Sequence, residues 1–304
     1  MIDLGLLIAP IFLIILLGNI LKSFLITDED VWNHLNKLAY WVLFPCLLFN
    51  KTSVIDFAGI EIGALSLTVI SGFSLAVAFC FIVSKLAGLS APTITSVIQG
   101  GGRHNAFLAL AIISQLYGEQ GAMLGAIIIA VLVTFTNIVV NISMTVILNT
   151  KGGGIIRILS DLKRNPFIFA IAVGALFNLL GLGNLPILHT LTLSIGETTL
   201  TIALLCVGAG LRMKGFGEKI IPTFIALVGK FIIFPLTVYL MANFFALPPV
   251  MTMAAMIFAV SPTGAASYPL AKQMGGDAPL MATLISLQTL LSVIIIPLII
   301  ILLS

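Results

Sequence analysis

The chain has 304 residues, of which 60% are hydrophobic and only 8% are charged, and its formal net charge is +3. A soluble domain carries about 25% charged residues, so this composition, with a mean hydropathy of +1.23, predicts a membrane-embedded protein. The small and scattered positive charge excludes a typical nucleic-acid binder. Three widely separated histidines offer no metal-ligand spacing, so neither a metal site nor another cofactor is expected.

A membrane-spanning helix needs about 20 mostly apolar residues. Runs of this kind occur ten times and predict an all-α membrane protein. The first run has no basic segment before it and no small-residue cleavage site, so we interpret it as a retained span and not as a signal peptide. In chain order the predicted spans are 3–22, 34–50, 60–86, 93–117, 121–148, 166–183, 190–211, 219–245, 249–272 and 279–303.

The basic residues predict how the chain is oriented in the membrane. When the chain crosses at every predicted span, eleven of its fourteen Lys and Arg residues fall on one side. Lys51 falls on the other side, and Arg103 and Lys230 lie inside spans. Because basic loops resist translocation, we expect both termini to lie outside the cytoplasm, in a multi-pass protein of the inner (plasma) membrane.

The polar segment 149–165 divides the predicted spans into five and five. It is predicted to be a cytoplasmic linker between two five-helix repeats, residues 1–148 and residues 166–304. An odd number of spans in each half requires the second half to enter the membrane upside down. The stretch "APIFLIILLGNIL" (9–21) also resembles "NPFIFAIAVGALF" (165–177), which favours an inverted duplication.

Two spans at corresponding positions of the halves contain helix-breaking residues. Aligning "SQLYGEQGAMLGAII" (114–128) with "AKQMGGDAPLMATLI" (271–285) brings "QGGGRHN" in span four opposite "AVSPTGAAS" in span nine. Glycine loosens a helix, and proline removes an N–H donor and clashes with the preceding turn. Backbone groups released in this way must be buried or line a wet cavity. Helices 4 and 9 are therefore predicted to be broken and to cross, with their half-helix N-termini facing an anion.

Arg103 stands beside the first predicted break. A charge at mid-membrane costs at least about 2.5–3.5 kcal/mol, so a buried arginine indicates function, and a guanidinium binds carboxylate through two parallel hydrogen bonds. The alternative is a structural arginine that holds unwound carbonyls or pairs with an internal acid. Asn105 is equally suited to binding a carboxylate or capping a half-helix. The predicted substrate-binding residues surround both breaks: Gly101, Gly102, Arg103, Asn105, Ser261, Pro262 and Thr263.

Glu197 is the acid that lies well within a predicted span, and Lys230 is an intramembrane base. Glu197 is a candidate for carrying a proton or for an ion pair, unless it lies near the outer interface, where burial costs less. Lys230 is its candidate partner, or else extends its alkyl stem towards the interface. His104 is expected to have a packing role. The chain has no HExxH, GxSxG or P-loop motif, so no enzyme is expected.

Three stretches resemble motifs of the auxin efflux carrier family: "VIQGGGRHNAFLALAI" (97–112), "LVGKFIIFPL" (227–236) and "SPTGAASYPLAKQMGGD" (261–277). The resemblance is to the compact prokaryotic form, with His104 replacing the usual aromatic residue. It implies an organic-anion carrier with the fold of bile-acid-type sodium symporters, namely two inverted five-helix repeats with broken, crossing helices 4 and 9.

The resemblance further implies a scaffold made of residues 1–50 and 166–211, often a dimer surface, and a moving transport domain made of residues 60–148 and 219–304. We therefore expect a secondary carrier of small organic anions, mono- or dicarboxylates of an auxin-like or malate/malonate-like kind, that works by alternating access. A proton or sodium is the expected coupling ion, and a homodimer is the expected assembly. The alternatives are an anion channel on the same fold and a membrane-embedded sensor without flux.

Overall fold

The computed structural model describes residues 2–55, 60–149, 165–212 and 219–303, with side chains from residue 7 onwards. The predicted linker 149–165 therefore lies almost wholly outside the described residues. Within these ranges every regular element is a helix, which confirms the predicted all-α membrane class.

The described residues of the first half contain six α-helices. Five of them correspond closely to predicted spans or parts of spans, and α6 contains parts of two. They are α1 (Ile2–Phe24), α2 (Glu29–Leu38), α3 (Phe44–Ser53), α4 (Ile62–Leu86), α5 (Ala91–Gly102) and α6 (Ala106–Ile147). Inside α6 the backbone leaves the helical region at Tyr117 and Gly118, where Gly118 has φ 55° and ψ −134°. This kink separates the fourth predicted span from the fifth.

The second half contains seven α-helices among its described residues. Its elements are α7 (Pro166–Leu179), α8 (Pro186–Ala209), α9 (Ile220–Val228), α10 (Phe234–Phe244), α11 (Pro249–Val260), α12 (Ser267–Met274) and α13 (Ala278–Leu303). Among the described residues, six helical stretches are individually long and apolar enough to cross a membrane, and one of them, Ala91–Ile147, contains two predicted spans. The second, sixth and ninth predicted spans consist of shorter helices.

Two spans contain a single π-helical turn directly before a Phe-Pro pair. The turn Ala39–Leu43 joins α2 to α3, and the turn Gly229–Ile233 joins α9 to α10. Proline lacks an N–H and clashes with the carbonyl of the preceding turn. The wider turn accommodates it, because Phe44 N–H donates to the carbonyl five residues back, as Phe234 N–H does in the other span. Both spans therefore continue through their prolines.

The helices pack in two groups. In the first helix group (α1, α2, α3, α7 and α8), α1 packs along α8 and α3 packs along α7. A Cβ added at Gly208 would lie 2.7 Å from the carbonyl carbon of Ile15, so only a residue without a side chain permits this approach of α8 to α1. In the second helix group (α4–α6 and α9–α13), α4 packs on α5 and α10, and α11 packs on α6. The division into scaffold and transport domain stays a prediction.

Candidate functional site

The two predicted broken spans are interrupted where the helix-breaking motifs lie. Residues 103–105 separate α5 from α6, and Arg103 is extended with φ −66° and ψ 151°. Residues 261–266 separate α11 from α12, and Ser261 is extended with φ −67° and ψ 139°. The prediction of broken helices 4 and 9 is therefore confirmed.

The glycines of "QGGGRHN" lie in the last turn of α5 and not in the break that follows them. A Cβ added at Gly100 would stand 2.6 Å from Leu284 Cδ1, and one at Gly102 would stand 2.7 Å from Val77 Cγ2. These residues therefore allow α4 and α13 to approach α5 closely. The sequence predicted that these glycines loosen the helix. In the structure they remain helical, and their role is to allow close packing.

The two breaks contact each other through a small hydrogen-bond cluster. The carbonyl oxygen of Gly100 accepts from Thr263 Oγ1 at 3.0 Å and from Gln288 Nε2 at 2.8 Å. The Thr263 N–H donates to Gln288 Oε1 at 2.8 Å. Gly264 lies so near His104 that an added Cβ would be 2.9 Å from the His104 carbonyl oxygen. The Thr263 N–H of the second break and the Gly100 carbonyl in the last turn of α5 are thus satisfied within the protein, as a membrane interior requires.

Lys230 supports the first break from the π-helical turn between α9 and α10. Its side chain is completely buried, its Nζ donates to the carbonyl oxygen of Arg103 at 3.0 Å, and it lies 4.8 Å from the centre of the Phe234 ring. Glu197 lies on an exposed position of α8 and has no ion-pair partner among the described residues. The structure therefore does not bring Lys230 and Glu197 together, and the lysine stem does not extend towards the interface.

The Arg103 side chain points from the break towards α6. Its Nη2 donates to Asn137 Oδ1 in a short hydrogen bond, and the Asn137 carbonyl accepts from Asn141 Nδ2 at 2.9 Å. No carboxylate of the described residues lies within ion-pair distance of the guanidinium. Its hydrogen-bond partner is therefore a neutral amide, neither an internal acid nor an unwound carbonyl, and its positive charge is unmatched.

A cavity of about 130 Å³ lies beside the crossover, between the two helix groups. The first group contributes Asn36, Tyr40, Phe167 and Val207 to its lining. The second group contributes Arg103, His104, Asn105, Ala106, Phe107, Val133, Thr136, Asn137, Gly264, Ala265, Ala266 and Ser267. Arg103 is the charged residue of this lining, so the cavity provides a site for an anion.

The predicted site residues separate into two sets. Arg103 and Asn105 line the cavity, and the Oδ1 atom of Asn105 accepts from the Leu108 N–H at 3.2 Å, which caps α6. The other five are not part of the cavity lining and are buried in the crossover next to it: Gly101, Gly102, Ser261, Pro262 and Thr263.

Sequence reasoning overlooked several cavity residues. Ser267 belongs to the quoted "SPTGAAS" motif, so its position beside the second break was a usable signal. Tyr40 and Thr136 stand in apolar runs with no pattern that distinguishes them. Gln288, a buried amide within the last span, was a further signal, because an amide in hydrocarbon needs partners.

A protein-family model matches part of the chain. Residues 197–304 match the model of a family described as the Sodium Bile acid symporter family. The match includes the second break and Lys230, whereas Arg103 precedes it. A comparison with curated proteins finds none that matches. The matched family is one of transporters and not of enzymes, and the narrower resemblance to auxin efflux carriers stays a prediction. The match spans less than half of the chain, and over that part this multi-pass membrane protein is similar to the Sodium Bile acid symporter family.

Proposed function

We propose that the protein is a secondary carrier that moves small organic anions across the membrane by alternating access at the cavity beside the crossover. The observation that carries the proposal is the unmatched charge of Arg103 on the wall of the cavity. A guanidinium has five N–H donors, and Asn137 is the partner of one of its two terminal nitrogens. The remaining donors suit the two oxygens of a carboxylate.

Two helix N-termini add to the attraction for an anion. α6 begins at Ala106 and α12 begins at Ser267, and both residues line the cavity. The helix dipole places partial positive charge at both N-termini, although the Ser267 and Tyr268 N–H groups of α12 and the Leu108 N–H group of α6 already have acceptors. The side-chain nitrogen of Asn105, Nδ2, makes no hydrogen bond within the described part of the chain, so it is a further donor to a ligand in the cavity.

The position of the cavity between the helix groups supports alternating access. In this proposal residues 1–50 and 166–211 form the scaffold, and residues 60–148 and 219–304 form the transport domain. Asn36, near the end of α2 and the start of the second predicted span, is an exposed residue of the cavity wall. At the opposite end of the same span, Lys51 Nζ pairs with Glu119 at 2.6 Å across the two groups. With the predicted orientation, the cavity opens to the cytoplasm and is closed towards the outside.

A homodimer through the scaffold is part of the proposal. The exposed face of α8 has a polar stripe along roughly its first two thirds, formed by Thr190, Ser194, Glu197, Thr198 and Thr201. A carboxylate facing hydrocarbon is expensive. A second copy of α8 would cover this stripe, and its hydroxyl groups both donate and accept hydrogen bonds.

The moved anion carries charge, so the membrane potential contributes about 2.3 kcal/mol per charge per 100 mV. A proton or sodium is the proposed coupling ion, and both termini are proposed to face away from the cytoplasm. Measuring the transport rate with and without a proton gradient, a sodium gradient and a membrane potential distinguishes these driving forces.

Counterflow of a labelled carboxylate in proteoliposomes tests the function, with Arg103→Gln compared with wild type. Removing one partner of a buried charge pair costs about 2–5 kcal/mol of binding free energy. The Arg103→Gln variant should therefore bind the carboxylate at least about 30-fold more weakly than wild type. Lys85→Gln, which removes an exposed charge outside the cavity lining, is the matched control and should transport normally. Conductance without saturation would instead indicate a channel, and binding without flux would indicate a sensor.

A further inference from the structure

Three polar side chains of the cavity wall have buried atoms without a hydrogen-bond partner among the described residues. They are the hydroxyls of Thr136 and Ser267, whose residues are 3% and 0% exposed, and both ring nitrogens of His104. Leaving such an atom unpaired costs about 1–3 kcal/mol, and native proteins contain few of them. Three of the seven described residues with such atoms lie on this cavity wall, where a bound molecule would supply their partners.

Neighbouring hydroxyls show that these groups are exceptions. On α6, Thr134 donates to the Ala130 carbonyl at 2.6 Å and Ser143 donates to the Val139 carbonyl at 2.7 Å. This bond to the carbonyl four residues back is the usual way in which a hydroxyl is satisfied within a helix. Thr136 lies on the same helix between these two residues and makes no such bond.

The charges of the wall favour a ligand with a single carboxylate. Arg103 is the charged residue among those that line the cavity, and His104, Thr136 and Ser267 offer neutral hydrogen-bonding groups. A second carboxylate would lose its hydration without meeting a second cation, which is strongly unfavourable in an apolar interior. A hydroxyl or carbonyl group would satisfy the unpaired atoms at no such cost.

The cavity is large enough for a small organic acid. Its volume of about 130 Å³ is several times the roughly 10–15 Å³ that one water molecule needs on the same measure.

We propose that the substrate is a small hydroxy- or oxo-monocarboxylate, whose carboxylate is bound by Arg103 and whose hydroxyl or carbonyl group is bound by Thr136 and Ser267, with His104 as a third partner. The inference rests on the proposed function of an organic-anion carrier and specifies its substrate class.

The test measures inhibition of counterflow by lactate, propanoate and malonate, which differ in one hydroxyl or one carboxylate. Wild type should bind lactate more tightly than propanoate and malonate most weakly. Thr136→Val and Ser267→Ala should each reduce the preference for lactate over propanoate by about three- to tenfold, because each removes one hydrogen bond to the substrate. Their affinity for propanoate should be unchanged, which shows that the variants fold.

Three control variants sharpen the test. Thr134→Val and Ser143→Ala remove hydroxyls that are already bonded within α6 and should keep the preference for lactate. Thr136→Ser retains the hydroxyl and should therefore also keep the preference for lactate. Equal inhibition by lactate and propanoate, or stronger inhibition by malonate, would overturn the inference and leave the proposed function standing. If none of these three acids and no other carboxylate binds, both the inferred substrate class and the proposed function are overturned.

Discussion

Replacing Gln288 by leucine is expected to weaken the contact between the two broken helices. The Gln288 amide donates to the Gly100 carbonyl at 2.8 Å and accepts from the Thr263 N–H at 2.8 Å. Leucine has a similar volume but no polar atoms. The substitution therefore leaves the buried Thr263 N–H without an acceptor, whereas Gly100 retains its hydrogen bond from the Thr263 hydroxyl.

The cost follows from the atom that is left unpaired. A buried N–H without an acceptor costs about 1–3 kcal/mol, which corresponds to a melting-temperature decrease on the order of 5 °C for a chain of this size. Thermal unfolding of the detergent-solubilised protein measures this decrease. Gln273→Leu is the matched control, because Gln273 is exposed on α12 and the same substitution there should leave the melting temperature unchanged. A Gln288→Leu variant as stable as wild type would refute the role assigned to this amide.

The remaining predictions concern the ends of the helices and the lipid-facing surface. Cysteines placed at Lys51 and Glu119 and joined by a flexible, reducible thiol cross-linker should hold the cavity open on one side and abolish counterflow until the linker is cleaved, because the two positions join the two helix groups. Full transport by the cross-linked protein would contradict this. Cysteine in place of Glu197 should form a cross-link between two copies in the membrane, detected as a dimer on a non-reducing gel, whereas a monomer alone would argue against a dimer at α8. Asp277→Ala should destabilise the protein by about 1–3 kcal/mol, because this carboxylate accepts from Lys219 and Thr93 and caps α13; unchanged thermal unfolding would contradict that estimate.

Span positions and helix breaks were predictable because both depend on local composition. Long apolar runs determine which segments are spans, and the positions of proline and extended backbone in "AVSPTGAAS" agree with the observed interruption. The π-helical turns were not predicted, since proline alone does not say whether a helix will kink, stop or widen by one residue.

The wall of the cavity was only partly predictable. Arg103 was recognised because a charge is conspicuous in an apolar run, and Asn105 because it adjoins the break. Thr136 was not recognised, because a threonine that bonds its own helix and one that faces a ligand look alike in sequence. Lys230 was recognised as unusual, but its partner is a backbone carbonyl, which no pattern of side chains reveals.

Stabilisation by carboxylates is the most direct measure of anion binding at Arg103. A ligand at a hundred times its dissociation constant stabilises the folded state by about 2.7 kcal/mol, which raises the melting temperature of the purified protein measurably. The account predicts a concentration-dependent rise for wild type and Lys85→Gln, and none for Arg103→Gln at the same concentrations. An equal rise in Arg103→Gln would contradict the assignment of the anion site to this cavity.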